Sequence, residues 1–184
     1  MKKIIYLPLF LLLAISIFSC EQMKIKEKQL TEIAKVEVEL NELRDTVNKI
    51  QFDSIGIYAM DMANDKRLIK KFYHSDTVNE NLARKINRFN GIRKQFKKVS
   101  GKGITFGIKV DSCLAQVARL KNDISMGAGD KSKYQEYINL EKKNLNQLEI
   151  EFEQINSTTQ RNLKEYKEYS PFVKNFIEEI RKID

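Results

Sequence analysis

Apolar residues recur along the first part of the chain at alternating intervals of three and four. From residue 33 they are Ile33, Val36, Leu40, Leu43, Val47 and Ile50. This spacing forms a heptad seam longer than two heptads, with Glu and Lys on the other faces. It predicts a first helix over about residues 24–51.

A second helix is predicted after residue 51, with Asp53 or Ser54 as its N-terminal cap. Thr77 and Glu80 then have the spacing of a capping box, which indicates a new helix start or a bend there. The apolar face resumes from Val78 to Val99. The segment "SGKGITFG", residues 100–107, is rich in glycine and is predicted to be a loop.

The second half of the chain is also predicted to consist of helices joined by a loop. A helix is predicted around Val110 to Ile124, followed by the loop "MGAGDKS", residues 126–132. A capping-box spacing at the end of this loop predicts a long helix over residues 132–169, weakened at "NSTT", residues 156–159. Ser170 and Pro171 are then expected to cap and begin a short last helix.

No stretch alternates with the period of two that a strand requires. Helices of this kind cannot bury their apolar faces alone and must pack together. Short connections favour antiparallel neighbours. The predicted fold class is therefore all-α, an elongated up-and-down helical bundle with coiled-coil-like hairpins, and the bundle domain is expected over residues 31–184.

The N-terminus has a different pattern. Lys2 and Lys3 precede an apolar run from Ile4 to Phe18, which Pro8 interrupts. A helix needs about 20 apolar residues to span a bilayer, so this run is short for that purpose. A basic start, a short apolar run and a small residue before a cleavage site are typical of a secretory signal.

The junction Ile17-Phe18-Ser19-Cys20 resembles the lipobox of bacterial lipoproteins. The resemblance implies that residues 1–19 are a type II signal peptide and that Cys20 carries a diacylglyceryl thioether, usually with an acylated new amine. One acyl chain binds a membrane only marginally, whereas two or three anchor a protein stably. Residues 20–30 would then form a lipidated tether. An uncleaved anchor helix and an ordinary secretory signal are the alternatives.

Reaction chemistry is sparse in the remaining chain. If Cys20 is lipidated, Cys113 has no disulfide partner and is expected to pack as a small buried apolar residue. His74 is the only histidine, so no metal-ligand spacing exists. "GKGITFG" matches no phosphate-binding loop. Glu149, Glu151 and Glu153 are expected on an exposed helix face. No catalytic residue, metal site or cofactor is predicted.

Positive charge is concentrated in one segment. Residues 66–102 contain 12 Lys and Arg but only 2 Asp and Glu, whereas residues 20–65 contain 6 and 10. The candidate residues for docking an anionic surface are Arg84, Lys85, Arg88, Lys94, Lys97 and Lys98. Neutralisation by the acidic first helix (Glu32, Glu37, Glu39 and Glu42) is the favoured interpretation; docking of an anionic lipid, glycan or protein is the other.

Three Asp-Ser/Thr-hydrophobic triplets resemble the O-glycosylation sequon of some Gram-negative bacteria. Their acceptors would be Thr46, Ser54 and Thr77. Such pairs are also common at helix boundaries, because short polar side chains bond to nearby backbone.

The sequence thus predicts a lipid-anchored, non-enzymatic binding or scaffold module of the bacterial cell envelope, with the outer membrane as its expected location. Its expected partners are the membrane, through the lipid, and a protein of unknown identity. Nucleic acid is not expected, and a homo-oligomer is left open. The alternative is an envelope small-ligand receptor or enzyme with a site between helices.

Overall fold

The computed structural model describes residues 6–74 and 79–183, without the side chains of residues 6–20 and of Ile183. Four α-helices make up nearly all of this part of the chain: α1 (Tyr6–Lys49), α2 (Phe52–Phe72), α3 (Glu80–Met126) and α4 (Tyr134–Ile183). A short 3-10 helix, Lys131–Lys133, precedes α4. The described ranges contain no strand. The predicted all-α helical bundle is confirmed.

The helices form two compact units. Unit 1 contains Met1–Glu42 and Asp111–Gln147, and unit 2 contains Leu43–Val110 and Leu148–Asp184. Among the described residues, no helix carries an apolar stretch that is long enough to cross a membrane.

Unit 1 packs the described part of α1 against the second half of α3 and the first part of α4. Its core residues are Ile33, Val36, Leu40, Val117, Ile124, Tyr134, Ile138 and Leu145. Two ion pairs cross between these helices: Glu37 with Lys121 and Glu32 with Lys142, each at 2.6 Å. The predicted α1 seam is buried from Ile33 to Val47, whereas Ile50 lies beyond the end of α1 and is only partly buried. The segments that bury the seam are distant in sequence.

Unit 2 packs the end of α1 and all of α2 against the first half of α3 and the second part of α4. Aromatic rings form much of its core. The ring centroids of Phe96 and Tyr166 lie 5.6 Å apart, and those of Phe106 and Phe152 lie 5.8 Å apart. Both pairs join α3 to α4, so they fix the two helices side by side.

The prediction of a loop at residues 100–107 is wrong, because α3 is helical throughout this segment. The buried positions of α3 are Phe89, Ile92, Phe96, Val99, Ser100, Gly103, Phe106, Val110, Cys113, Val117 and Ile124. Apart from Ser100, they follow the alternating three-and-four spacing of a heptad seam as far as Val117, with Ile124 one heptad further, and Gly103 occupies one of its positions. Burial of this continuous face outweighs the cost of glycine in a helix, about 1 kcal/mol per residue.

Gly103 is required by packing. A methyl group on this residue would lie 2.3 Å from the Phe52 ring of α2. One turn further along α2, a methyl group on Gly56 would lie 2.9 Å from Ser100 Oγ. Small residues at these places let α2 approach α3 closely. The glycines that indicated flexibility in the sequence therefore mark a close helix–helix contact.

The start of α2 also differs from the prediction. Gln51 adopts a left-handed conformation with φ 51°, and α2 begins at Phe52 without a side-chain cap. Phe52 is buried against α3, and this contact sets the start of the helix. Asp53 and Ser54 therefore lie within the first turn, where the Asp53 carboxylate faces the favourable end of the helix dipole.

The N-terminal caps of α3 and of the 3-10 helix before α4 also differ from the predicted ones. At α3, Asn79 Oδ1 accepts a hydrogen bond from Leu82 N at 3.1 Å, while Thr77 lies outside the described residues. Before α4, Asp130 rather than Ser132 acts as the cap, accepting from Ser132 N at 3.0 Å. The loop itself is confirmed, and Gly127 and Gly129 provide its positive φ angles.

The predicted break at Ser170-Pro171 does not occur, since α4 continues to Ile183. A proline inside a helix loses one backbone hydrogen bond and costs about 3 kcal/mol. Val173, Ile177 and Ile180 are buried beyond it, and their burial offsets this cost. The helix also continues through "NSTT", where Thr159 donates to the Ile155 carbonyl at 2.7 Å.

We expect Gly103→Ala to destabilise the protein by about 1–3 kcal/mol, because the new methyl group overlaps the Phe52 ring. Gly101→Ala is the matched control, since this exposed position has no atom within 4 Å of an added methyl group. It should stabilise α3 by about 0.5–1 kcal/mol. Urea unfolding followed by circular dichroism measures both. Equal effects of the two substitutions would contradict the close contact.

Candidate functional site

The six predicted docking residues all lie on α3 in unit 2, but they have different environments. Arg84 lies 3.8 Å from Glu80 in an exposed ion pair. The Lys85 ammonium lies 4.1 Å from the centre of the Phe172 ring. Arg88 forms an ion pair with Glu165 of α4. These three side chains therefore already have partners within their own unit.

The other three, Lys94, Lys97 and Lys98, are exposed and make no ion pair with any described residue. The favoured interpretation was that the first helix neutralises this segment. Glu32 and Glu37 pair instead with Lys142 and Lys121 of unit 1. That interpretation is wrong for these two glutamates, which pair with lysines outside the basic segment.

A polar groove runs between α3 and α4 in unit 2. It consists of two adjoining cavities of about 270 and 300 Å³, which share Gln95 and Arg161. The polar residues on its two walls are Arg88, Gln95, Lys98 and Lys102 of α3 and Glu151, Gln154, Thr158, Arg161 and Glu165 of α4. The residues of the α4 wall are three or four positions apart, and those of the α3 wall are three, four or seven apart, so each wall is one helix face. We call this feature the α3–α4 groove.

Charge in the α3–α4 groove is unbalanced. Glu151 accepts from Lys109 Nζ at 2.8 and 2.9 Å, and Glu165 is paired with Arg88. Both carboxylates of the walls are therefore compensated. Lys98, Lys102 and Arg161 form no ion pair within the described part of the chain. Three cations thus converge on one concave surface, which favours an anionic ligand.

Asn162 lies on the floor of the groove and is only 3% exposed. Its Nδ2 has no acceptor among the described residues. A buried donor without a partner costs about 1–3 kcal/mol, so its presence calls for an explanation. The Nδ2 atom is closed off from solvent, so it lies buried beside the cavity.

The sequence indicated only part of this site. Arg88 and Lys98 were among the predicted docking residues, whereas Lys102 fell in the supposed loop. Arg161 and Asn162 follow the "NSTT" segment, where α4 was expected to weaken. The spacing of positions 95, 98 and 102 would have identified the wall if residues 100–107 had been predicted as helix.

Unit 1 contains a buried polar cluster around Glu141. Cys113 Sγ lies 3.6 Å from Glu141 Oε2, and Asn144 Nδ2 donates to the same oxygen at 3.1 Å. Burial, followed by the nearby Glu141 carboxylate, raises the pKa of the Cys113 thiol to about 11. A nucleophilic cysteine needs the thiolate, so this environment opposes catalysis. Cys113 is buried as predicted, although it contacts a carboxylate.

The other candidates have structural surroundings. His74 is exposed after α2, and its Nε2 lies 3.1 Å from the Lys71 carbonyl oxygen. Glu149 and Glu153 are exposed on α4 as predicted, and Glu151 binds Lys109. Within the described ranges, no group of three His, Cys, Asp or Glu side chains is arranged to hold a metal ion.

The predicted modification sites are placed only in part. Cys20 lies within α1, but its side chain is outside the described residues. Thr46 is exposed on α1, and Ser54 is half-buried in the first turn of α2. Thr77 is outside the described residues. Lipidation and glycosylation remain predictions.

Comparison of the chain with protein-family models, curated proteins and solved structures finds no match.

We expect the Cys113 thiol to resist alkylation at pH 8, because its raised pKa keeps it protonated. In a Cys20→Ser variant it is the only thiol of the chain. Iodoacetamide labelling, read by mass spectrometry, should be slow in the folded protein and fast in urea. Equally fast labelling in both states would contradict this environment.

The same pKa shift predicts how stability depends on pH. Because the folded-state pKa is above the unfolded value, the stabilisation is complete below about pH 9 and is lost as pH rises toward about 11. In Cys113→Ala, the free energy of unfolding should fall less steeply over this range. Identical slopes for the two proteins, measured by urea unfolding, would refute the linkage.

Proposed function

We propose that this chain is a lipid-anchored protein of the bacterial cell envelope that binds a partner through its helical surfaces and catalyses no reaction. The anchor is Cys20, by its resemblance to the lipobox cysteine. The observation that carries the binding role is the α3–α4 groove, whose walls present Lys98, Lys102 and Arg161 without partner carboxylates. A surface of this kind recognises rather than transforms its ligand.

Exposed apolar residues of unit 1, two of them close to Cys20 in sequence, support attachment to lipid. Met23, Ile25 and Met126 are 60%, 51% and 77% exposed, and all three line a cavity of about 550 Å³ in unit 1. Lys26 and Lys131 line the same cavity. Apolar side chains beside lysines are typical of protein surfaces that contact the headgroup region of a bilayer. Met23 follows the proposed lipid attachment by only three residues.

A small-ligand receptor is the second candidate. The cavity of about 270 Å³ in the groove has several convergent polar side chains, among them Gln95, Gln154 and Thr158. This arrangement lies between two helices, as the receptor hypothesis requires. The two candidates differ in ligand size, since a receptor would take a single small molecule and a surface module would take an extended one.

We expect Cys20→Ser to abolish labelling by a palmitate analogue and to release the protein from the membrane fraction. The physical reason is that a serine side chain has no thiol to form the thioether, and a protein without acyl chains loses the apolar anchor that holds it on a bilayer. Gel fluorescence of the clicked analogue and ultracentrifugation measure the two effects. Cys113→Ser is the matched control and should remain labelled. Unchanged labelling of Cys20→Ser would refute the anchor.

A further inference from the structure

The α3–α4 groove has features that narrow the chemistry of its ligand. Lys98 and Lys102 are four residues apart on one helix face, which places their Cβ atoms about 6 Å apart. Arg161 faces the same cavity from the opposite wall. Cations thus occur at intervals along the groove, and this arrangement suits a linear ligand with repeated anionic groups better than a single ion.

The remaining wall residues are uncharged and can both donate and accept hydrogen bonds. Gln95, Gln154 and Thr158 line the first cavity between the cations. Amides and hydroxyls of this kind pair well with hydroxyl groups, which also donate and accept. The lining therefore matches a ligand that alternates anions with hydroxyls.

Two other polyanions fit less well. Binding of single-stranded nucleic acid depends on aromatic platforms for the bases, and neither cavity is lined by an aromatic side chain. An acidic peptide that binds as a helix needs apolar anchors at its contact face. The exposed walls of the groove are polar, and its apolar residues Ile92, Val99 and Ile155 are buried.

We propose that the α3–α4 groove binds an acidic oligosaccharide, with Lys98, Lys102 and Arg161 pairing with its carboxylates or phosphates. Gln154 and Thr158 contact the sugar hydroxyls. This inference rests on the proposed binding function and names the class of ligand. It does not depend on the lipid, because the groove belongs to unit 2 and Cys20 to unit 1.

The test is a titration of the purified full-length protein in detergent with three probes, in which calorimetry measures the binding. The probes are a hexamer of galacturonic acid, a hexamer of galactose and a hexaglutamate peptide. The galacturonate hexamer should bind most tightly. Its affinity should fall with added salt, because the ion pairs that it forms with the groove cations are exposed to solvent. Equal affinity for hexaglutamate would overturn the assignment to a sugar, and no binding of galacturonate would overturn the site.

Two matched double variants locate the binding. Lys98→Glu with Lys102→Glu reverses two charges inside the groove, whereas Lys94→Glu with Lys97→Glu makes the same change on exposed residues outside it. The first should weaken galacturonate binding by about tenfold or more, because like charges then face each other. The second should change it by less than about threefold. Equal losses of affinity in the two double variants would show that binding depends only on general electrostatic attraction. They would refute the groove as the binding site.

Gln154→Ala tests the hydroxyl contacts without changing charge. This exposed substitution should weaken binding of the galacturonate hexamer severalfold and leave any weak binding of hexaglutamate unchanged. Parallel losses for both probes would contradict the assigned role. Circular dichroism confirms that each variant is folded. Failure of the anchor would appear as unchanged palmitate labelling of Cys20→Ser, which does not bear on galacturonate binding, so the two proposals can fail separately.

Discussion

The contact between Phe52 of α2 and Gly103 of α3 is the interaction on which unit 2 depends. It lets α2 approach α3 closely, and it requires α3 to remain helical through a segment with three glycines. Only an unbroken helix places Lys102 on the same face as Gln95 and Lys98. The Phe52 ring occupies the space that a side chain at position 103 would fill. The α3 wall of the α3–α4 groove therefore depends on this contact.

Much of the fold could be predicted because it depends on local spacing. The α1 seam and the loop containing Gly127 and Gly129 follow from periodicity and turn chemistry. The helix through residues 100–107 could not be predicted in this way, because the reason for Gly103 is a ring about fifty residues earlier. Pro171 is similar, since the burial that offsets its cost lies in its tertiary contacts. The same holds for the candidate site: the sequence predicted Arg88 and Lys98, but it did not predict Lys102 and Arg161.

Three buried polar residues of α4 differ in how their side chains are hydrogen-bonded. Thr159 returns its hydroxyl to the helix backbone, and Glu141 accepts from Cys113 and Asn144. Asn162 has no acceptor in the described part of the chain. The first two arrangements are complete within the protein, so they serve packing. The third is incomplete, and Asn162 lines the same cavity as Arg161, which forms no ion pair with a described residue. Polar groups without partners thus meet in the α3–α4 groove, which makes it the strongest candidate for ligand binding.

The glycine segment of α3 also has a consequence for how unit 2 opens. Gly101, Gly103 and Gly107 give this part of the helix little intrinsic stability, so its helical state depends on the packing of α2. Detachment of α2 would remove that support, and the middle of α3 would lose its structure in the same event. Hydrogen exchange should therefore report α2 and the groove wall as one cooperative unit, in which the binding surface exists only while the neighbouring helix is in place.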